Sequence, residues 1–494
     1  MKINTNFANF KKKHKSKKNQ IIFHKATCKS NKIIENIIDN YLEKKNSFIF
    51  ESVEKRTVRG RFTIIGSDPD KIWEINKKNI FLTQNRNKKK IKGNPYKFLK
   101  NLIENHNFPL PKNVPPLCSL LVGYFSYDII RYIEKIPDKC ADDLKIPDIK
   151  LMRPKKIIIH DNLLKKIYYI SNCYADEAIR DYKNYYLKQI EAIKELEFLS
   201  ISKLKNNKNI VLKKKNTKVK SNISKKEFKK IVLKAKKYIK QGDIFQIVPS
   251  HRFEMSFAHK ASFLYRVLRE TNPSPFMYLF NFPKFDIIGS SPEILVRVRK
   301  NKVTIRPIAG TRPRGKTKKD DLMYEKDLLK DKKEISEHLM LLDLGRNDVG
   351  RVVKTNTVNV TSSFAIERYS HVMHIVSNVE GELKKDKTLM DALMAGFPAG
   401  TVTGAPKIRA MQIIDELETT KRGPYAGAVG YFSSMNEMDT CIVLRTGIIQ
   451  NKKLYVQAGG GVVYDSKPGN EYKETINKSM AVIKAAEIVQ GNIK

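Results

Sequence analysis

Residues 455–474, YVQAGGGVVYDSKPGNEYKE, hold the densest grouping of chemically useful side chains in the chain. A strand ending at Gln457 runs into Gly459, Gly460 and Gly461, where no side chain keeps a ligand oxygen from bare main-chain N–H groups, and a carboxylate suits such a cradle. Val462, Val463 and Tyr464 resume the strand. The turn signal at 466–470 then opens a helix on which Glu471 and Glu474 share a face, with Lys478 one turn further on. The same residues also read as a glycine-bulged hairpin followed by a helix with a surface Glu474 to Lys478 ion pair.

A second acidic pair, Glu334 and Glu337, stands beside His338 in a helical pattern over 326–345 whose apolar side carries Leu328, Ile335, Leu339 and Leu342. Two such pairs would offer the all-oxygen ligand set that Mg²⁺ prefers, provided they meet; a single acidic pair on a helix is usually solvated. Glu293 follows a Ser-Ser-Pro corner between two strands in 285–299, where a carboxylate is costly unless paired, functional or exposed at a strand edge. His374 lies in an alternating strand run over 370–376, a setting in which histidine is more often structural. FPAGTVTGAPK, 397–407, fails the Walker pattern because Lys407 does not directly follow the second glycine. It reads as a glycine-rich turn opening a helix over 407–417, whose first N–H groups are available to an anion.

These groups need a scaffold, and at 494 residues the chain can build one. Residues 1–30 read as a basic, poorly ordered leader; 203–220, rich in Lys and Asn, reads as a linker with a boundary near 220. The expected division is 1–220, an N-terminal region, and 221–494, a catalytic domain. Strands at 47–52, 60–66 and 119–125 precede it; a Ser224-x-x-Glu227 capping box, a buried strand over 243–251 and the corner at Glu293 follow it. Strands mixed with helices, without strict alternation, predict an α+β fold. The net charge of +44 is spread along the chain, and tracts such as 87–93 carry no aromatic interleaving, which argues against nucleic-acid binding. No apolar run reaches membrane-spanning length, and five scattered cysteines suit a reducing cytoplasm.

The motifs IRPIAGTRPRG (305–315), SEHLMLLDLGRNDVGRV (336–352), SHVMHIVSNVEGEL (370–383), FPAGTVTGAPKIRAM (397–411), GPYAGAVGYF (423–432), CIVLRTG (441–447) and VQAGGGVV (456–463) together make a sequence that resembles the chorismate-utilising enzymes, and among them the anthranilate synthase component I family. The N-terminal half matches more weakly, through FIFES (48–52), GRFTIIG (60–66) and LLVGYFSYD (120–128). The resemblance implies two antiparallel β-sheets packed together, helices on their outer faces and chorismate between them. It implies Mg²⁺ on Glu337 and Glu474, with Glu334 and Glu471 beside them. Gly310, Thr311, Tyr425, Arg445, Gly459, Gly460, Gly461 and Lys478 would bind substrate. Glu293 would protonate the departing C4 hydroxyl, and His374 would assist loss of pyruvate.

Within the family, isochorismate and salicylate synthases resemble this chain but carry a lysine base where Gln246 stands, and many aminodeoxychorismate synthases carry a nucleophilic lysine where Ala309 stands. The resemblance therefore favours attack by ammonia, with aminodeoxychorismate synthase as the alternative. It also implies a separate glutamine amidotransferase subunit in a heterotetramer, and tryptophan as feedback inhibitor near the N-terminal regulatory part, at Ser52 of that part and at Pro275, Phe276 and Met277. On its residues alone, Ser52 also has a second reading, as a strand-end hydroxyl capping a turn.

Overall fold

The computed structural model describes residues 1–28, 32–53, 60–202, 217–369 and 372–492. Two long antiparallel strands, Phe62–Asn76 and Ile149–Asp161, run through two sheets and tie them together. Phe62–Asn76 pairs with Ser47–Glu51 through its first half and with Asn79–Gln84 through its second. Ile149–Asp161 likewise pairs first with Leu120–Phe125 and then with Lys166–Cys173. The first sheet continues from Ser47–Glu51 through Phe276–Asn281, Asp286–Ser291, Thr446–Gln450 and Lys453–Gly459 to Ser250–Ser256. The second continues from Leu120–Phe125 through Ala428–Ser433, Glu437–Ile442, Ile294–Arg299 and Lys302–Ile305 to Val372–Glu382. This is the α+β class expected from the strand and helix pattern, in the two-sheet form that the resemblance implied.

Period-two alternation explains why the sheets stack. Ile49, Met277 and Leu279 pack with Leu264, Leu268 and Val482 of helices Ala261–Thr271 and Pro468–Asn492. Their neighbours Phe48, Tyr278 and Phe280 instead meet Val122, Tyr124 and Val429 of the second sheet. On the second sheet's far side, Leu295 and Val298 pack with Leu393 and Leu342 of helices Leu389–Gly396 and Lys332–Gly350. Both sheets are therefore covered by helices outside and by each other inside.

Several local expectations change. The leader is not loose: helix Phe7–Lys15 and strand Gln20–Thr27 dock on the first sheet, burying Phe10, Ile21 and Ile22. The lysines that suggested a tail sit largely on the outward side and in the last turn, where they complement the helix dipole. Most of the expected linker, 203–216, lies outside the described residues, and strands from both sides of residue 220 are neighbours in both sheets. The strand read over 243–251 breaks into Gln246–Ile247 and Ser250–Ser256, because Pro249 between them has no N–H to donate. The 326–345 pattern divides at Asp331, which ends helix Lys318–Lys330 and accepts from the N–H groups of Lys333 and Glu334 to start the next. Its buried side carries His338, Leu341 and Leu342, while Leu339 is 49% exposed, so Glu334 and Glu337 turn toward the protein. The lysine tract at 87–93 forms an exposed edge strand, Asn87–Ile91, whose charges blunt that edge. No helix among the described residues is long and apolar enough to cross a membrane.

Candidate active site

Glu293 occupies the break between Asp286–Ser291 and Ile294–Arg299 and is only 7% exposed, which rules out a water-facing edge carboxylate. Its Oε1 accepts from Thr401 Oγ1 at 3.1 Å. Burial, opposed by Thr401, Lys478 and Arg445, pushes the carboxyl up to about 8, so it carries a proton at neutral pH. Arg445 lies just before strand Thr446–Gln450 at φ 47°. Its guanidinium forms no ion pair or hydrogen bond among the described residues; burial lowers its pKa and Glu293 opposes that.

His374 Nδ1 is 2.8 Å from the Gly310 carbonyl oxygen and 3.0 Å from Thr311 Oγ1. A carbonyl only accepts, so the proton resides on Nδ1 and Nε2 keeps its lone pair. Burial lowers the imidazole pKa and favours that neutral form. Gly310 adopts φ 66°, and a Cβ there would come within 3.3 Å of Glu334 Oε2. One backbone position thus brings His374, Thr311 and Glu334 together.

The three glycines work by close approach. A Cβ on Gly459 would lie 2.8 Å from Tyr425 Oη, one on Gly460 would lie 3.4 Å from Glu471 Oε2, and one on Gly461 would lie 3.0 Å from Gln246 Nε2. The Gly460 N–H is not bare as expected, since it donates to Pro249 O at 3.2 Å. Nor does a strand resume: Val462 makes a single bridge to Ile247 before the chain turns at Ser466. Tyr425 is buried and held by the neighbouring Arg422–Glu418 pair, 2.6 Å and almost fully buried, which also fastens the Val248 and Val402 carbonyls.

Gln246 joins the glycines to the first acidic pair, its Nε2 donating to Glu337 Oε1 at 3.2 Å. Burial raises the pKa of Glu334 and of Glu471, and the neighbouring Glu337 and Glu474 carboxylates raise them further. Lys333 acts electrostatically on Glu471, so the two helix starts face one another. Glu474 and Lys478 form the surface ion pair, 2.7 Å, and Lys478 Nζ also donates to Gly459 O at 3.2 Å. Among the described residues no three metal-ligating side chains converge as a ready-made cage. The donor set nevertheless fits a hard cation: Gln246 Oε1 and Glu471 Oε2 are buried with no hydrogen-bond partner, beside carboxylates that repel one another.

The residues expected to bind an inhibitor stand apart from this cluster. Ser52, Pro275, Phe276 and Met277 all line a separate cavity of about 460 Å³, together with Tyr278 and Tyr431. Glu293 does not line it, but its neighbours Pro292 and Ile294 do.

Residues 45–484 match the family described as chorismate binding enzyme. The chain belongs to that family. It is 43% identical to anthranilate synthase component 1 of Cereibacter sphaeroides, over 98% of this chain and 97% of that protein. It is 46% identical to the component 1 of Acetivibrio thermocellus, over 91% and 92% of the two chains. The crystal structure of anthranilate synthase component I from Streptococcus pneumoniae superposes with a TM-score of 0.77 at 36% identity, covering 87% of this chain and 94% of that one.

Two supports for the site were not legible as such. Thr401 was hidden in the glycine-rich turn read over 397–407, which opens helix Lys407–Leu417 as expected, pairs Gly404 with Ile247 and sets Lys407 Nζ on Asp348 at 2.8 Å. Arg422 and Glu418, four apart, carried the helical ion-pair signal, but nothing marked the pair as buried.

Proposed function

We propose that this chain is the large subunit of an anthranilate synthase. It aminates chorismate at C2 with ammonia, expels the C4 hydroxyl and eliminates pyruvate to leave anthranilate, the first step of tryptophan biosynthesis. The observation that carries the chemistry is the buried Glu293 carboxyl, protonated at neutral pH and set within the fields of Arg445 and Lys478. Glu293 gives its proton to the departing hydroxyl, which is a poor leaving group without it. Arg445, Lys478 and Tyr425 bind the substrate's carboxylates, with Gly310, Thr311 and the 459–461 glycines admitting them to the main chain. His374 Nε2 holds the lone pair that takes a proton as pyruvate leaves. Glu337 and Glu474, with Glu334 and Glu471 beside them, would hold Mg²⁺, which would neutralise and orient the ring carboxylate.

The choice of ammonia rests on what is absent from two positions. Gln246 is bound to Glu337 and has no basic nitrogen with which to activate water, and Ala309, 9% exposed, has no nucleophile. A separate glutamine amidotransferase subunit supplies the ammonia in a cytoplasmic heterotetramer, and tryptophan occupies the cavity at Ser52 as feedback inhibitor. The test is incubation of the purified chain with chorismate, Mg²⁺ and an ammonium salt, with products identified by mass. Anthranilate and pyruvate support the proposal. An aminated product that keeps its enolpyruvyl group would make the chain an aminodeoxychorismate synthase, and isochorismate would overturn the reading of Gln246.

A further inference from the structure

A directed relay of hydrogen bonds runs into the first turns of helix Pro468–Asn492 from behind the site. Thr475 Oγ1 donates its only proton to the Tyr472 carbonyl at 2.8 Å, so it accepts from His251 Nε2–H at 2.7 Å. That fixes the tautomer. His251 Nδ1 then accepts from Ser221 Oγ at 2.8 Å, and Ser221 Oγ accepts from the Ile223 N–H at 3.4 Å. His251 and Thr475 are 1% and 0% exposed. The imidazole is enclosed by Phe228, Phe253 and Tyr472, with ring centroids 4.7, 4.5 and 5.6 Å away. Burial pushes its pKa down to about 4, which keeps the neutral tautomer in place.

The relay lands where the carboxylates need orienting. Glu471 is one turn before Thr475 on the same face, and Glu474 is its immediate neighbour in sequence. Among the described residues Glu474 pairs with the half-exposed Lys478, and Glu471 Oε2 is buried with no hydrogen-bond partner. The strand that carries His251 also pairs Ser250 with Gly459, so one element registers both the glycines and the helix. We propose that His251 is a positioning residue for the reaction: through Thr475 it sets the rotation of this helix and so the direction in which Glu471 and Glu474 would be presented to a divalent cation. The proposal rests on the reading of those carboxylates as cation ligands.

The experiment compares Thr475→Val, which keeps the shape and removes the acceptor, with Thr475→Ser, which keeps the hydroxyl, and with His251→Gln. Mg²⁺ affinity is measured by calorimetry on the protein alone, beside the Mg²⁺ and chorismate dependence of turnover and the thermal midpoint. The expected result is a Mg²⁺ affinity weakened about tenfold or more in Thr475→Val, the range seen when residues that orient metal ligands are lost. Thr475→Ser restores it, and the chorismate KM at saturating Mg²⁺ stays near the parent's. A lowered thermal midpoint with unchanged Mg²⁺ affinity would overturn the proposal and leave a purely structural hydrogen bond. A parent whose Mg²⁺ binding survives Glu474→Gln unchanged would overturn the reading of the carboxylates and this proposal with it.

Discussion

Glu293 stands in a sequence context that reads equally well as a strand-edge carboxylate, and burial separates the two meanings. Its raised pKa has two consequences whose signs follow from linkage. Folded protein retains a proton that the unfolded chain releases near the ordinary glutamate value, so stability falls as pH rises from there toward about 8. Glu293→Gln removes that penalty, and the variant is expected to be more stable than the parent at neutral pH by on the order of 3 kcal/mol, measured by thermal or denaturant unfolding, with the difference vanishing in mild acid. The same variant is expected to lose roughly 10²–10⁴-fold in turnover, the contribution of a general acid. In the parent, turnover at fixed free ammonia should decline above about pH 8 as Glu293 ionises, and fall in acid as His374 gains a proton. The identities and spacing of Glu293, His374 and both acidic pairs were legible in the sequence. Their burial, the His374 tautomer and the Thr401 contact were not, because these depend on neighbours more than 60 residues away.

Strand ends and helix starts, rather than loops, deliver the site. Gly459 closes one strand, Arg445 precedes the next, His374 sits near the start of a third, and the acidic pairs occupy the first turns of two helices. The glycine run at 459–461 and the turn signal at 466–470 located two of these boundaries from sequence, because such signals act over three or four residues. The breaks at Pro249 and Asp331 were missed, since an apolar pattern continues across each. Crowding around the glycines gives a direct expectation. Gly459→Ala would place a methyl against Tyr425 Oη and the Pro249 carbonyl, costing about 1–3 kcal/mol of stability as overpacking and a larger share of activity, read by unfolding and by chorismate KM. The cavity at Ser52 lies between strands of the two sheets. In the parent, tryptophan at about 100 times its dissociation constant should stabilise the fold by about 2.7 kcal/mol. Ser52→Leu, projecting into the cavity, should abolish both that shift and inhibition, as followed by thermal shift and rate.

Over the whole molecule, the sheets interleave strands from the two halves of the sequence, which is why no compositional boundary revealed the architecture. The fold class could be read from mixed strand and helix patterns, whereas the strand order could not, because pairs such as Ser47–Glu51 with Phe276–Asn281 join residues more than 200 apart. The first 28 residues belong to this body. Their deletion would bare the edge of Lys166–Cys173 and remove Phe10, Ile21 and Ile22, each worth about 1.5–3 kcal/mol when fully buried. The truncated chain is expected to melt at a markedly lower temperature and to aggregate through that edge, as followed by circular dichroism and light scattering.

The proposed chemistry turns on the Glu293 carboxyl holding its proton at neutral pH, ready for transfer to the substrate. Isotope-edited infrared spectroscopy, taken as the parent minus Glu293→Gln difference across a pH series, observes that proton directly. The expected result is a protonated carboxyl band from Glu293 at neutral pH that titrates away near pH 8. A carboxylate band already present at neutral pH would contradict it.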